Sequence, residues 1–217
     1  MAGLFPVLLN VKDRLCVVVG GGEVALRKVM TLLERGAIVK VVSPELRPEF
    51  RELVEQSLIE WESRAYRQGD LEGAFLGVAA ADDAEVNAQV RHEGWTRHVL
   101  VNVVDDPAGS DYQVPSFFED GDLLVAVSTS GASPAVARTL RRMVQGYLGG
   151  SFGEALKLIS DFRERVKGEV ADGKDRVRFW EQAVTPELLE KVRKGALGEV
   201  RAMLEQALVK FKEEARR

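Results

Sequence analysis

The sequence is poor in the residue types that most often bind metals or form disulfides. It has one cysteine, Cys16, and two histidines among 217 residues. A single cysteine excludes a disulfide framework within the chain, which is typical of a protein from a reducing cytoplasm. Cys16 lies in an apolar run, so we expect a buried thiol and not a nucleophile. His92 and His98 flank Trp95 without the spacing of metal ligands, and no metal site is expected.

The sequence also lacks a net positive charge and long apolar runs. The formal net charge of -4 argues against general attraction to nucleic acid or to an anionic membrane. No apolar stretch is long enough to span a bilayer, and the first residues lack the pattern of a signal peptide. We therefore expect a cytoplasmic protein that has neither a nucleic acid nor a membrane as its partner.

The first half of the chain alternates between short apolar runs and amphipathic stretches. This alternation predicts parallel βαβ units, with helices on both faces of one sheet. The sequence thus favours an α/β fold with an N-terminal Rossmann-like parallel sheet. The expected strands are 15–19, 38–42, 59–62, 76–80 and 99–104, and the expected helices are 24–34, 49–56 and 84–93.

The pattern changes in the middle of the chain. Residues 114–118 and 123–129 are predicted to be two strands joined through 119–122, which indicates a hairpin and not another βαβ unit. Ser133 is suited to cap a helix that has Pro134 at its first position. One face of that helix is expected to be apolar and to carry Val136, Leu140, Val144 and Tyr147.

A pair of glycines at 149–150 interrupts the chain, and the sequence beyond it is predicted to be helical to its end. Ser151 and Glu154 have the spacing of a capping box. Another helix is expected to begin at Thr185 and Pro186. We therefore expect a C-terminal helical domain.

The clearest local signal is a glycine-rich turn directly after the first predicted strand. It fits the dinucleotide-binding pattern G-x-G-x-x-G/A, with Gly20, Gly22 and Ala25 at the three small positions. The first glycine permits a sharp turn, the second leaves room for a pyrophosphate, and the alanine lets the helix pack closely on the sheet. Free N–H groups at the helix N-terminus are suited to bind the phosphates. A glycine-rich turn without a ligand is the alternative. The expected cofactor-binding residues here are Gly20, Gly21, Gly22, Glu23, Val24 and Ala25.

The end of the second predicted strand is where a Rossmann fold holds the adenosine ribose. The strand is followed by Ser43, Pro44 and Glu45, so the acidic residue lies beyond the tip of the strand and not at the tip itself. Ser43 is able to hydrogen-bond a ribose, and Glu45 lies nearby. Arg47 is a weak candidate for the extra phosphate of NADP, so we favour NAD as the cofactor.

Several segments resemble one family closely and in the same order. They are similar to the precorrin-2 dehydrogenases and the N-terminal domains of siroheme synthases, over essentially the whole chain. Asn-Val-Val-Asp, followed by Pro-Ser and then Val-Ser-x-x-Gly-x-Ser-Pro, is much more specific than the glycine pattern. The segments are FPVLLNVKDRLCVVVGGGEVALRK (5–28), AAADDAEVN (79–87), VNVVDDP (101–107), VPSFF (114–118), LLVAVSTSGASPAVARTLR (123–141) and RVRFWE (176–181).

The resemblance implies a homodimer that oxidises precorrin-2 to sirohydrochlorin with NAD, for siroheme biosynthesis. It implies a Rossmann domain over 1–112, a dimerisation region with a small sheet and tetrapyrrole-site segments over 113–149, and a helical domain over 150–217. Some members also insert ferrous iron into sirohydrochlorin, and whether this chain does so is left open. The methyltransferase module of the fused siroheme synthases lies outside these residues, so precorrin-2 is expected from a separate enzyme.

Asp105 is expected to carry the chemistry. It follows the fifth predicted strand at the carboxyl edge of the sheet, where ligands of open α/β sheets bind, and the family's important aspartate aligns with it. The oxidation removes a hydride, which the cofactor takes, and a proton, for which a carboxylate is a suitable acceptor. The alternative is a loop aspartate with a structural role, and Asp106 is the neighbour most easily confused with it.

The resemblance also assigns residues to the cofactor and to the tetrapyrrole. Val104 joins the cofactor-binding set. Thr129 stands where many relatives have serine, and for its hydroxyl-rich segment a plain strand-to-helix turn is the alternative. Arg138, with Arg141 and Arg142, is suited to pair with acetate or propionate groups, although a solvated helix face is the more common explanation. The expected substrate-binding residues are Asn102, Pro115, Ser116, Ser128, Thr129, Ser130 and Arg138.

A different class of function stays open. The chain would also suit an NAD-binding regulatory or sensor module without catalysis. A DNA-binding sensor needs a basic recognition helix, and the sequence shows none. Turnover of precorrin-2 with NAD distinguishes the enzyme from the sensor.

Overall fold

The computed structural model describes residues 4–215. Two compact units make up the chain, one that runs to Val114 and one that begins at Pro115. The three-part division at 112 and 149 stays a prediction, and its first three and last two residues lie outside the described part.

A parallel sheet forms the centre of the N-terminal unit and confirms the Rossmann-like prediction. Its strands lie in the order β3-β2-β1-β4-β5. Predicted and observed bounds agree for the first three strands. The strands are β1 (Leu15–Val19), β2 (Ile38–Val42), β3 (Ile59–Glu62), β4 (Leu76–Ala79) and β5 (Leu100–Val103). The helices are α1 (Glu23–Glu34), α2 (Arg51–Glu55, preceded by a 3-10 turn at Pro48–Phe50) and α3 (Ala84–Arg97).

The central strands β1 and β4 are buried on both faces of the sheet, to which their successive residues point in alternation. Cys16 and Val18 of β1 belong to a cluster that includes residues of α1 and α2, whereas Val17 and Val19 belong to one that includes residues of α3. A strand buried on both sides needs a continuous apolar run, as in LCVVV. Burial raises the pKa of the Cys16 thiol to about 11, so the thiol stays protonated at neutral pH, as expected of a buried cysteine.

The C-terminal unit begins with an antiparallel hairpin of β6 (Ser116–Asp120) and β7 (Leu123–Val127). The hairpin prediction is confirmed, but β6 begins and ends two residues later than expected. A two-residue turn at 121–122 replaces the four-residue connection, and Gly121 has a φ of 56°, which glycine adopts readily.

Helices make up the rest of this unit, as predicted. They are α4 (Pro134–Leu148), α5 (Phe152–Glu169), α6 (Gly173–Ala183), α7 (Pro186–Arg193) and α8 (Leu197–Ala215). Helices α5 to α8 bury one shared core, whose members include Val166, Phe179, Leu188, Val200, Leu204 and Leu208. Among residues 4–215, the helices are all too short or too polar to cross a membrane.

Two of the three predicted helix caps are confirmed, and the third is wrong. Ser133 Oγ accepts from the N–H of Val136 at 3.3 Å, and Thr185 Oγ1 caps α7 in the same way. Ser151 makes no capping bond with its side chain. Instead Asp120 Oδ2, at the hairpin turn, accepts from the N–H of Phe152 at 2.8 Å. A side chain distant in sequence thus replaces the local capping box.

Candidate functional site

A cleft lies at the carboxyl ends of β1, β2 and β4. Its volume of about 670 Å³ is within the range of small-molecule sites. The glycine-rich turn, the end of β2, the loop after β3 and the beginning of α3 contribute its walls. The lining residues are 19–22, 42–47, 65–66, 80–83 and Val86.

The three glycines of the turn differ in what surrounds them. A Cβ on Gly20 would lie 2.2 Å from the Ala80 carbonyl oxygen, and Gly20 has a φ of 125° that side chains rarely permit. A Cβ on Gly21 would lie 2.0 Å from the Glu45 carbonyl oxygen. A Cβ on Gly22 would meet nothing within 4 Å. The first two positions are therefore set by close packing, and the third borders open space.

The N-terminus of α1 is open to a ligand at this point. Gly22 is its N-cap residue, and no described side chain caps it. The first backbone N–H groups of a helix need acceptors from outside, and the helix dipole favours an anion there. Ala25 is fully buried, so the helix lies close to the sheet. This uncapped end and the space beside Gly22 fit a dinucleotide pyrophosphate.

At the end of β2 the predicted ribose site is partly occupied by internal bonds. Ser43 is buried, and its Oγ donates to the Glu45 carbonyl at 2.6 Å. Pro44 and Glu45 are exposed and line the cleft. Arg47 Nη2 donates to Glu49 at 2.8 Å, and its Nη1 lies 3.6 Å from Glu23. The carboxylates of Glu49 and Glu23 thus flank the guanidinium of Arg47.

The opposite wall of the cleft is held by a residue that the sequence analysis did not single out. Asn87 Oδ1 accepts from the N–H of Ala81 at 3.0 Å, and its Nδ2 donates to the Ala81 carbonyl at 2.8 Å. Asp83 caps α3 by accepting from the N–H of Glu85 at 2.8 Å. Asp83 was recognisable from sequence as an N-cap, whereas the bidentate bond of Asn87 has no local signal.

Asp105 lies on the same edge of the sheet, one strand beyond β4. Val104 donates its N–H to the Ala79 carbonyl at 2.9 Å, which joins the end of β5 to the end of β4. Asp105 is exposed, its φ of 60° is left-handed, and its carboxylate bonds to no residue within 4–215. Neither Val104 nor Asp105 lines the cleft itself. The cofactor contact of Val104 therefore stays a prediction.

Asp106 has the structural role that was the alternative for its neighbour. Its Oδ1 accepts from the N–H of Gly109 at 2.8 Å, and its carbonyl accepts from Ser110 Oγ at 2.8 Å. Ser110 Oγ also accepts from the N–H of Val103 at 2.9 Å. The internal bonds of the loop thus use Asp106 and leave the carboxylate of Asp105 available.

Asn102 is buried and supports the same loop. Its Nδ2 donates to the Tyr112 carbonyl at 3.0 Å, and Asp111 Oδ2 accepts from the N–H of Val101 at 2.9 Å. The observed contacts of Asn102 are internal. Its predicted contact with the substrate stays a prediction.

In the C-terminal unit most of the predicted tetrapyrrole residues meet at one end of the hairpin. Ser116 pairs with Val127 in the strand register, so Pro115 and Ser116 lie beside the segment 128–130 that follows β7. Thr129 Oγ1 bonds to both the N–H and the carbonyl of Ser133 at 3.1 Å. Its hydroxyl is therefore engaged in the turn before α4.

The remaining predicted residues of this group are more accessible. Ser128 Oγ accepts from the N–H of Ser130, and both residues are exposed. Arg138 is exposed on α4 and forms no ion pair with a described residue. No group of three or more His, Cys, Asp or Glu side chains within 4–215 is arranged to hold a metal ion.

Comparisons with known proteins give a family match in each half of the chain. Residues 7–116 match an NAD(P)-binding family, and residues 151–208 match the sirohaem synthase dimerisation region. The chain belongs to the siroheme synthase N-terminal domain family.

Individual members of this siroheme synthase family show the extent of the match. The siroheme synthases of Chromobacterium violaceum and Pseudomonas paraeruginosa are 39% and 40% identical to this chain. The matches cover 94% of this chain but 43% and 44% of those proteins, so the chain spans less than half of their length. SirC, a precorrin-2 dehydrogenase of solved structure, shares the fold, with a TM-score of 0.74 at 22% identity over 97% of this chain and 100% of that chain.

Membership of the siroheme synthase family gives the cleft its class of ligand. The NAD(P)-binding match at 7–116 contains the glycine turn, the end of β2 and Asp105. The N-terminal unit is therefore the part of the protein that binds a nicotinamide cofactor.

Proposed function

We propose that the protein oxidises precorrin-2 to sirohydrochlorin, with NAD as the hydride acceptor, in siroheme biosynthesis. The observation that carries this proposal is Asp105, whose exposed carboxylate bonds to no described residue and lies at the same sheet edge as the dinucleotide cleft. The choice of precorrin-2 as the substrate rests on the sequence resemblance and on the names of the relatives. The chemistry follows from the side chains at that edge.

The oxidation removes a hydride and a proton from the macrocycle and extends its conjugation. A bound nicotinamide supplies the carbon that accepts the hydride. Asp105 accepts the proton at its carboxylate, because no donor among residues 4–215 occupies that carboxylate. Asp106 and Ser110 hold the turn so that Asp105 keeps its left-handed backbone.

We propose NAD and not NADP because of the ion pairs at the end of β2. Arg47 is bonded to Glu49 and lies close to Glu23, so its charge is already balanced. A 2′-phosphate would bring two further negative charges toward these carboxylates. Glu49→Gln should therefore improve the KM for NADP about threefold and leave that for NAD unchanged, as surface ion pairs are weak. Glu52→Gln, on α2, is the matched control.

The hydroxyls of Ser116, Ser128 and Ser130 and the guanidinium of Arg138 are proposed to bind the substrate. Precorrin-2 carries acetate and propionate groups, which pair well with an arginine and with hydroxyl donors. Arg138 is exposed and without an internal carboxylate partner among the described residues, which supports this assignment. Arg138→Gln should raise the KM for precorrin-2 and leave the KM for NAD unchanged.

We also propose that the protein is a homodimer. Residues 151–208 match a dimerisation region, and α4 carries an apolar face that is largely exposed. The exposed fractions of Val136, Leu140, Met143 and Tyr147 lie between 42% and 66%. Sedimentation velocity should give a dimer for the wild type and a folded monomer for Leu140→Glu. A wild-type monomer at micromolar concentration contradicts the proposal.

A cytoplasmic location is part of the proposal. The unpaired, buried Cys16 supports it, because thiols stay reduced in that compartment. Cell fractionation with a compartment marker tests this assignment.

The deciding experiment incubates the pure protein with precorrin-2 and NAD under anaerobic conditions. NADH formation and the absorbance of the pigment are expected to rise together. Binding of NAD without turnover would favour the sensor. Iron insertion is a separate activity that the sequence leaves open. A parallel reaction with sirohydrochlorin and ferrous iron tests it, with siroheme as the product to be detected.

A further inference from the structure

A tyrosine from the loop after β3 forms part of the cleft wall. Tyr66 lines the cleft together with Ala65 and Val86. Its hydroxyl donates a hydrogen bond to Oε2 of Glu93, which lies on α3. Because the hydroxyl is engaged there, the part of Tyr66 that remains for a ligand is its aromatic ring.

Glu93 is a buried carboxylate, and its partners among the described residues lie on the loop after β3 or on α3. It is 2% exposed. Its Oε1 accepts from the N–H of Gly69 at 2.9 Å and forms an ion pair with Arg97, whose Nε lies 2.6 Å away, in addition to the bond that Oε2 accepts from Tyr66. A carboxylate in this position is costly unless several donors satisfy it. Glu93 therefore fixes the loop to the helix.

The same loop is closed at a second point. Arg64 donates through Nη1 and Nη2 to the two oxygens of Asp70 at 2.8 and 2.7 Å. Asp70 also accepts from the N–H of Arg67 at 2.8 Å. Tyr66 lies inside this closed segment, so its ring is held before any ligand binds.

The order of the other walls indicates which part of a dinucleotide reaches Tyr66. The glycine turn is suited to the pyrophosphate, and the end of β2 to the ribose that follows it. An adenine that continues in this direction would reach beyond Pro44, where Ala65 and Tyr66 of the loop after β3 line the cleft. We propose that the ring of Tyr66 stacks on the adenine and that Glu93 is a positioning residue for Tyr66. This inference rests on the proposed dinucleotide binding.

The test separates the two halves of the dinucleotide by calorimetric titration with NAD and with ADP-ribose. Tyr66→Leu keeps apolar bulk but removes the ring, so both ligands should bind about tenfold more weakly, as after loss of one base–aromatic stack. Tyr66→Phe keeps the ring, so its affinities should stay within about threefold of the wild type.

Glu93 supplies an independent arm. Glu93→Ala should weaken both ligands, whereas Glu93→Gln, which keeps an acceptor oxygen, should restore most of the affinity. Leu53→Ala is the matched control, because Leu53 belongs to the core cluster on the other face of the sheet and does not line the cleft. It should lower the melting temperature without changing either affinity.

Unchanged affinity for ADP-ribose in folded Tyr66→Leu would overturn the inference, and so would a loss confined to NAD. If Tyr66→Leu does not fold, equal affinities in the two Glu93 variants and the wild type overturn it instead. A wild type that binds neither ligand would overturn the proposed function as well.

Discussion

Two turns at the carboxyl edge of one sheet serve the site in opposite ways. The turn after β1 depends on missing side chains, because Gly20 and Gly21 are packed against backbone and Gly22 borders open space. The turn after β5 depends on side chains that bond to the backbone, above all Asp106 and Ser110. The first turn leaves open space beside Gly22, and the second leaves the carboxylate of Asp105 without a partner among the described residues.

Under the proposed function, the first turn serves cofactor binding and the second serves the chemistry. A side chain added to the first turn should lower the NAD affinity or destabilise the fold. A side chain removed from the second should lower the rate of oxidation or the stability. Substitutions in the two turns therefore have different expected signatures.

The largest effect is expected for Asp105. Asp105→Asn removes the proton acceptor, so oxidation of precorrin-2 should slow by about 10²- to 10⁴-fold, the usual contribution of a general base. NAD affinity, measured by titration, should stay within about twofold, because the carboxylate does not line the cleft. Asp106→Asn is the control and should lower the melting temperature more than the rate. Wild-type turnover by Asp105→Asn refutes the role.

The next effect concerns Gly22. Gly22→Asp places a negative charge beside the pyrophosphate, and like charges at that distance cost several kcal/mol, so NAD affinity should fall by about a hundredfold or more. The fold should persist, because a Cβ at Gly22 meets nothing within 4 Å. Gly22→Ala controls for bulk alone. Equal NAD affinities for Gly22→Asp and the wild type would place the pyrophosphate elsewhere.

Gly20 should respond in stability and not only in binding. Gly20→Ala puts a Cβ 2.2 Å from the Ala80 carbonyl oxygen at a left-handed φ. Backbone strain of this kind costs about 1–3 kcal/mol, and the collision adds to it. Urea unfolding should show that loss, whereas Gly22→Ala should show little. A Gly20→Ala protein as stable as the wild type contradicts the packing described for this turn.

The smallest effect is expected at Ser110. Ser110→Ala leaves the N–H of Val103 without its acceptor, which should cost about 1–3 kcal/mol of unfolding free energy. The rate of oxidation should fall only in part, because Asp105 itself remains. Ser63→Ala, at an exposed serine, is the control and should stay within about 0.5 kcal/mol.

The sheet and the glycine turn could be predicted because their signals are local. Runs such as LCVVV are continuous and apolar, and the residues around Gly20 and Gly22 have a fixed spacing. The same local reasoning failed at Ser151, where Asp120 from the hairpin caps α5 instead. Local spacing does not reveal a partner that folding brings from a distant segment.

The candidate site depends on contacts between distant residues, which local sequence patterns do not reveal. Asp105 and Asp106 are adjacent in sequence, and only the bonds to Gly109 and Ser110 distinguish them. Tyr66 and Glu93 are separated by 27 positions, and no pattern in the sequence joins them. Side-chain pairs across a fold depend on the tertiary arrangement and not on periodicity.

The paired bonds of Asn87 on Ala81 have a consequence for how a ligand enters. The side-chain amide of Asn87 bonds to both the N–H and the carbonyl of Ala81, so this part of the cleft wall is rigidly attached to α3. A ligand that binds there contacts a wall that is already ordered. Binding therefore avoids the loss of conformational entropy that ordering a flexible wall would require. We therefore expect a ligand to bind a preorganised wall at this edge, without induced fit.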